Sequence, residues 1–185
     1  GNCIHGVQSR CAADDKGRVG YGVCATSFPD PNSLGSTFNR SAWRKMASVI
    51  GVELRALWRA GVGENHESNL PHIGLDCWSP NVGINRDPRW GRNMEIPGED
   101  PYLTGEYAVA FVKGFQESPD DPTHLQASAC CKHYVANSMD GTTEADGEHH
   151  DRNHVDSEVP MQDLIDSYML PFQACVEKGK VTSLM

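Results

Sequence analysis

The 185-residue chain is 38% hydrophobic and 22% charged, the balance expected of one ordinary globular domain with a sizeable core. With 16 Lys and Arg against 25 Asp and Glu the formal charge is −9, which speaks against a general nucleic-acid surface. No apolar run approaches the ~20 residues of a membrane span, so no membrane partner is expected.

In chain order, the sequence starts at Gly1 without methionine, as in a processed chain or a piece of a longer one. His5-Gly6-Val7 reads as a buried histidine at a tight turn. "VCAT", residues 23–26, is expected to be a strand. A helix is expected from about Arg40 to Ala60: Trp43, Met46, Ile50, Leu54, Leu57 and Trp58 fall at three- and four-residue steps. Asn39 suits its N-cap, and Gly61 or Gly63 its stop. "IGLDCWSP" fits a buried strand leading into the arginine-rich "NRDPRWGRN", residues 85–93. A second helix opens after "GEDP", capped by Asp100 with Pro101 in its first turn; Leu103, Tyr107, Phe111 and Phe115 make its core-facing ridge.

"LQASACCKHYV" follows as an interior strand with Lys132-His133 at its end, and residues 137–156 have no periodicity and read as a long loop. A third helix is expected from near Pro160, interrupted at Pro171 and resuming to Gly179. "VTSLM" then starts another strand and ends the chain within it, so a fragment is expected. Strands alternating with helices imply parallel strands with crossovers, in a barrel or an open sheet. In a barrel, chemistry sits where strands end, and both the arginine loop and Lys132-His133 follow a strand at that end.

Pro88 and Gly91 exclude an ordinary helix or strand for "NRDPRWGRN". Asp87 is expected to pair with one arginine, while Arg86 and Arg89 brace the turn. Arg92, past Gly91, is best placed to meet a ligand with in-plane donors. Glu95, Glu99 and Asp100 read as charge balance and helix capping. Lys132 and His133 can serve one ligand only if the strand has ended or bulged there. His149, His150 and His154, with Glu148 and Asp151, invite a metal reading, but no helix orients them. The seven cysteines, Cys3, Cys11, Cys24, Cys77, Cys130, Cys131 and Cys175, form no C-x-x-C pair, which leaves structural zinc without support. Disulfides in an oxidising compartment fit better, and the odd count leaves a thiol over. Asn39-Arg40-Ser41 is a glycosylation sequon, and export is a weak expectation. No P-loop, nucleophile elbow or dinucleotide fingerprint appears, and no cofactor is called for.

In order, "IHGV", "FPDP", "WSPNVGINRDPRWGRNMEIPGEDPYLTGEYA", "GFQ", "ACCKHYVAN" and "LPFQACVEKGKVTSLM" resemble the N-terminal domain of family 3 glycoside hydrolases over nearly the whole chain. The double cysteine and "WSPN" are most similar to the β-xylosidase branch. The resemblance implies an α/β fold, roughly the first half of a TIM-like (β/α)8 barrel. It also implies retaining exo-hydrolysis of terminal non-reducing β-linked sugars, xylosides before glucosides, in the full-length protein. Arg92 matches the last arginine of the family's R-D-P-R-W-G-R motif, and Lys132 and His133 match its K-H pair; these would hydrogen-bond the sugar. Asn2 stands where the family usually carries Asp or Glu, keeping hydrogen bonding but losing charge. The resemblance places the nucleophilic Asp, in an S-D-W-type motif, and the acid/base Glu beyond Met185; retention needs two carboxyl groups about 5 Å apart, so this piece alone is not expected to turn over substrate. A non-catalytic sugar-binding relative and a metal-binding protein are the alternatives. The implied partners are a glycoside substrate, the remaining barrel and a second domain.

Overall fold

A computed structural model of the protein describes residues 2–7, 16, 22–60, 73–143 and 149–185, with the backbone alone at 142, 143, 149 and 150. A short helix α1 (Pro31–Gly35) opens on proline, whose missing N–H costs nothing in a first turn. Helix α2 (Arg40–Arg59) follows, and Asn39 caps it by accepting from the Ala42 N–H at 3.0 Å. Its stripe faces the core as expected from Trp43 to Leu57, but Trp58 is largely exposed. Helix α2 ends at Arg59 with Ala60 as its cap; Gly61 and Gly63 lie outside the described residues.

Helix α3 (Pro101–Gln116) begins as expected, with the Asp100 carboxylate accepting from Tyr102 N at 2.9 Å. Tyr107, Phe111 and Phe115 are fully buried on successive turns, their ring centroids 6.1 and 5.9 Å apart. Trp43 of α2 adds its ring 5.3 Å from that of Tyr107. A helix carrying this much aromatic bulk approaches its neighbour through small residues. A Cβ on Gly114 would stand 2.2 Å from the Arg44 carbonyl oxygen of α2, and one on Gly51 would stand 2.6 Å from that of Phe115.

Three short strands form a parallel sheet in the order β1 (Asp76–Cys77), β2 (Ser128–Cys131), β5 (Ser183–Leu184). Asp76 pairs with Ser128 and Cys130 with Ser183. Helix α3 connects β1 to β2, and α5 (Leu170–Glu177) lies between β2 and β5. The buried Gln116 amide stitches helix to sheet: its Oε1 accepts from the N–H groups of Ala129 and Thr182, and its Nε2 donates to Lys180 O. Disulfides Cys3–Cys77 and Cys131–Cys175 tie the N-terminal segment to β1 and β2 to α5. Cys24 is disulfide-bonded as well, Cys130 is a buried free thiol, and Cys11 lies outside the described residues.

Several expectations need correction. Residues 23–26 form no strand beyond a single bridge at Cys24: Val23 is exposed, and Thr26 turns its N–H and hydroxyl to the Glu53 carboxylate at 2.9 and 2.6 Å. His5 sits at a turn but is half-exposed, beside Asp30 at 3.7 Å, because the turn faces outward over the α1 entry. The long loop contains an antiparallel hairpin, β3 (Gly141–Thr143) with β4 (His149–Asp151), too short to leave a period in sequence. The third helix breaks before Pro171. A turn α4 (Met161–Asp163) passes into a π-helical segment, Leu164–Tyr168, closed by Met169 N to Leu164 O at 2.8 Å. Pro171 then sits in the first turn of α5, where its missing donor is tolerated. Among the described residues, no helix is long and apolar enough to cross a membrane.

Candidate functional site

A cleft of about 780 Å³ opens across the C-terminal ends of the sheet. Trp78, Lys132 and Met185, the first residues past β1, β2 and β5, all line it, together with Arg92, His133 and Arg152. Backbone bonds hold these ends together: Lys132 N donates to Pro80 O, Val82 N to Lys132 O, and Met185 N to Cys131 O. Lys132 still pairs with Asn81 in an isolated parallel bridge, pairing stops at His133, and both side chains reach the cleft.

The arginine segment is a chain of tight turns. Trp90 N donates to Asp87 O at 3.1 Å, and Asn93 Nδ2 donates to the same carbonyl at 2.6 Å. Asp87 binds Arg89 through Nε and Nη2, at 3.0 and 2.6 Å, on the exposed outer side. Arg86 lies over the Tyr168 ring of the π-helical segment at 5.5 Å, a contact outside the turn, whereas Arg89 braces the turn as expected. Buried Trp90 donates its indole N–H to Asp140 at 3.1 Å and so fastens the turn to the hairpin.

Arg92 points the other way, into the cleft. Its Nε and Nη2 donate to the two Glu95 oxygens at 3.0 and 2.7 Å, and its Nη1 stands 3.5 Å from Asp140. Glu95, on a 3₁₀ turn (Asn93–Glu95), also accepts from Asn81 at 3.4 Å. Burial opposes ionisation of Glu95, but the hydrogen bond from Arg92 and the charges of Arg92 and Lys132 hold its pKa below the usual carboxylate value.

Lys132 is buried, and loss of solvent lowers its pKa, Glu95 acting against this and Arg92 with it. His133 is pushed down to about 4 by burial and by the neighbouring Lys132 and Arg92 charges, so its imidazole is neutral near pH 6. Its Nδ1 is buried without a hydrogen-bond partner among the described residues. The cleft therefore combines a guanidinium and a lysine as donors with an imidazole able to donate or accept, a set suited to hydroxyl groups.

Arg92, Lys132 and His133 thus come together. Asn2 does not line the cleft; its Oδ1 accepts from the Ser79 hydroxyl at 3.2 Å. His154 Nδ1 is engaged by Asp151 at 2.8 Å, and the side chains of His149 and His150 lie outside the described ones. Among the described residues, no group of three His, Cys, Asp or Glu could hold a metal ion. Sequence reasoning missed Glu95 as the partner of Arg92, although the i, i+3 spacing was visible. It also missed Asp140 and Arg152, which an aperiodic loop gives no means to place.

A parallel sheet covered by crossover helices, with its cleft at the C-terminal strand ends, is the site architecture of a (β/α)-barrel domain. The chain belongs to glycosyl hydrolase family 3: the model of that family's N-terminal domain matches residues 11–185. Beta-D-xylosidase 1 of Arabidopsis thaliana is 42% identical over 161 residues, covering 87% of this chain and 19% of the relative. Beta-xylosidase/alpha-L-arabinofuranosidase 2 of Medicago sativa subsp. varia is 42% identical over 162 residues, with the same coverage of 87% and 19%. Among solved structures, a GH3 exo-beta-xylosidase, XlnD, in complex with a xylobiose aziridine activity-based probe, superposes with TM-score 0.80 at 31% identity, covering all of this chain and 22% of that one. Beta-glucosidase 3B from Thermotoga neapolitana gives TM-score 0.70 at 28% identity, over 98% of this chain and 21% of that one. The chain spans about a fifth of the length of these relatives, and its fold is part of their TIM-type barrel.

Proposed function

We propose that the full-length protein hydrolyses terminal non-reducing β-linked sugars, β-xylosides foremost, by retaining double displacement. The observation that carries this reading is the cleft where β1, β2 and β5 end, lined by Arg92, Lys132 and His133. Neutral sugars offer only hydroxyl groups, and these three side chains supply charged donors and a neutral imidazole to meet them. Bonds near the 2-hydroxyl strengthen as the ring approaches its oxocarbenium-like transition state, so such donors contribute to rate as well as affinity. The carboxylate nucleophile and the acid/base belong to the sequence beyond Met185. Cations beside the nucleophile keep it ionised while the leaving group is protonated. The names of the relatives favour xylosides, with arabinofuranosides and glucosides as further candidates. The disulfides Cys3–Cys77 and Cys131–Cys175 support an oxidising, extracellular location.

A panel of nitrophenyl glycosides on the full-length protein tests the reading, with fastest release expected from the β-xyloside. Hydrolysis of none of them, with xylose still bound in calorimetry, would favour a non-catalytic sugar-binding relative. Asn2, in the place of an acid, is the observation on that side.

A further inference from the structure

Glu95 does not itself line the cleft, but it is paired with Arg92, which does, and the sugar-binding reading gives it no task. It lies three residues past Arg92, and each of its oxygens takes a different N–H of the same guanidinium, at 3.0 and 2.7 Å. Both side chains are mostly shielded, 21% exposed for Arg92 and 24% for Glu95, so water competes weakly for the contact. Asn81, itself buried, donates to Glu95 Oε2 at 3.4 Å from the segment after β1. The carboxylate is therefore gripped from two parts of the chain.

The two-point contact uses Nε and Nη2 of Arg92. This leaves three N–H groups with donor capacity to spare, the second of Nη2 and both of Nη1, which stands 3.5 Å from Asp140. A guanidinium held this way cannot rotate in its plane, whereas one held at a single point can. Glu95 also faces the buried Lys132. Of the charges acting on that ammonium, Arg92 disfavours its protonation, while Glu95 and more weakly Cys130 of β2 favour it. His133, next in the chain, feels Lys132, Arg92 and Arg152 in the same sense and Glu95 in the opposite one.

We propose that Glu95 is a positioning residue for the sugar site, fixing the plane of the Arg92 guanidinium by a two-point contact and balancing the charge of buried Lys132. Both donors then meet the sugar already aimed, and neither must reorganise as charge develops in the reaction. The proposal rests on the glycosidase reading above.

The test is made in the full-length protein with Glu95→Gln, Glu95→Asp and the Glu95→Gln/Arg92→Ala pair. Glu95→Gln keeps the shape and loses the charge, and kcat/KM for a nitrophenyl β-xyloside is expected to fall about 10²-fold, the cost of a small misplacement. The alkaline limb of its kcat/KM profile should move to lower pH as Lys132 loses its counter-charge. Glu95→Asp keeps charge but shortens reach, so it should lower kcat/KM while leaving that limb in place. Because Glu95 acts through Arg92, the double variant should lose little more than Arg92→Ala alone. A folded Glu95→Gln protein with wild-type kcat/KM and an unmoved limb would overturn the proposal, as would strictly additive losses in the pair. Should Glu95→Gln not fold, Glu95→Asp decides: unchanged kcat/KM would refute the two-point contact. Should the wild-type protein hydrolyse no glycoside, the glycosidase reading fails separately. Xylose calorimetry then reads the proposal, which weaker binding by Glu95→Gln supports and equal binding refutes.

Discussion

Two arginines three residues apart make the same chemical pair in different surroundings. Arg89 grips Asp87 and Arg92 grips Glu95, each through Nε and Nη2 to both carboxylate oxygens. The Arg89 side chain is 89% exposed and that of Arg92 only 21%. In water such a pair competes with solvent and with its own side-chain entropy, so it shapes a turn and contributes little else. Where water is scarce the same pair is held firmly, and losing one partner leaves a charge uncompensated. The first pair closes the outside of the turn; the second holds Arg92, which lines the cleft with Lys132.

The contrast is broken most directly by truncation. Arg92→Ala or Lys132→Ala in the full-length protein should lower kcat/KM by about 10²-fold or more, the usual cost of removing one donor from a developing charge; equal kinetics to wild type would remove the distinction. A second, smaller effect concerns acid. The folded protein keeps His133 neutral down to about pH 4, whereas the unfolded chain protonates it near 6.5. Protons thus favour the unfolded state between those values, and stability should fall as pH drops from about 6.5 towards 4. Melting temperatures followed across that window should decline less in His133→Gln than in wild type.

Smaller again, Arg86→Ala removes a cation from the Tyr168 ring and should cost about 0.5–1 kcal/mol in chemical denaturation without altering kcat/KM. Smallest of all should be Arg89→Ala, leaving both melting temperature and kinetics near wild type at neutral pH. Arg89 holds Asp87 down to about 2, so the contribution of their pair is present above about pH 4 and fades as pH falls towards 2. A large kinetic loss in Arg89→Ala would mean that the outer pair, too, positions the site.

Much of the helical framework was legible because it rests on neighbours in sequence. The stripe from Trp43 to Leu57 and the ridge of Tyr107, Phe111 and Phe115 follow three- and four-residue spacing, and Asn39 and Asp100 cap helices whose first N–H groups lie two or three residues away. The break near Pro171 was legible in kind, but its place depends on how a π-turn closes before the proline enters α5. Residues 23–26 look like a strand from composition, yet pairing is limited to a bridge at Cys24, and Thr26 turns to Glu53 instead.

By itself the sequence determined the two long helices, their caps, and a turn that brings three arginines close together. Those features come from covalent neighbours and from backbone limits at Pro88 and Gly91. Only the tertiary structure decided that Glu95 holds Arg92, that Asp140 joins the turn to the hairpin, and that Arg152 enters the lining. These are contacts between segments up to fifty residues apart or choices of side-chain direction within one turn. Neither leaves a period in the sequence, because burial and charge pairing settle them only after the chain has folded.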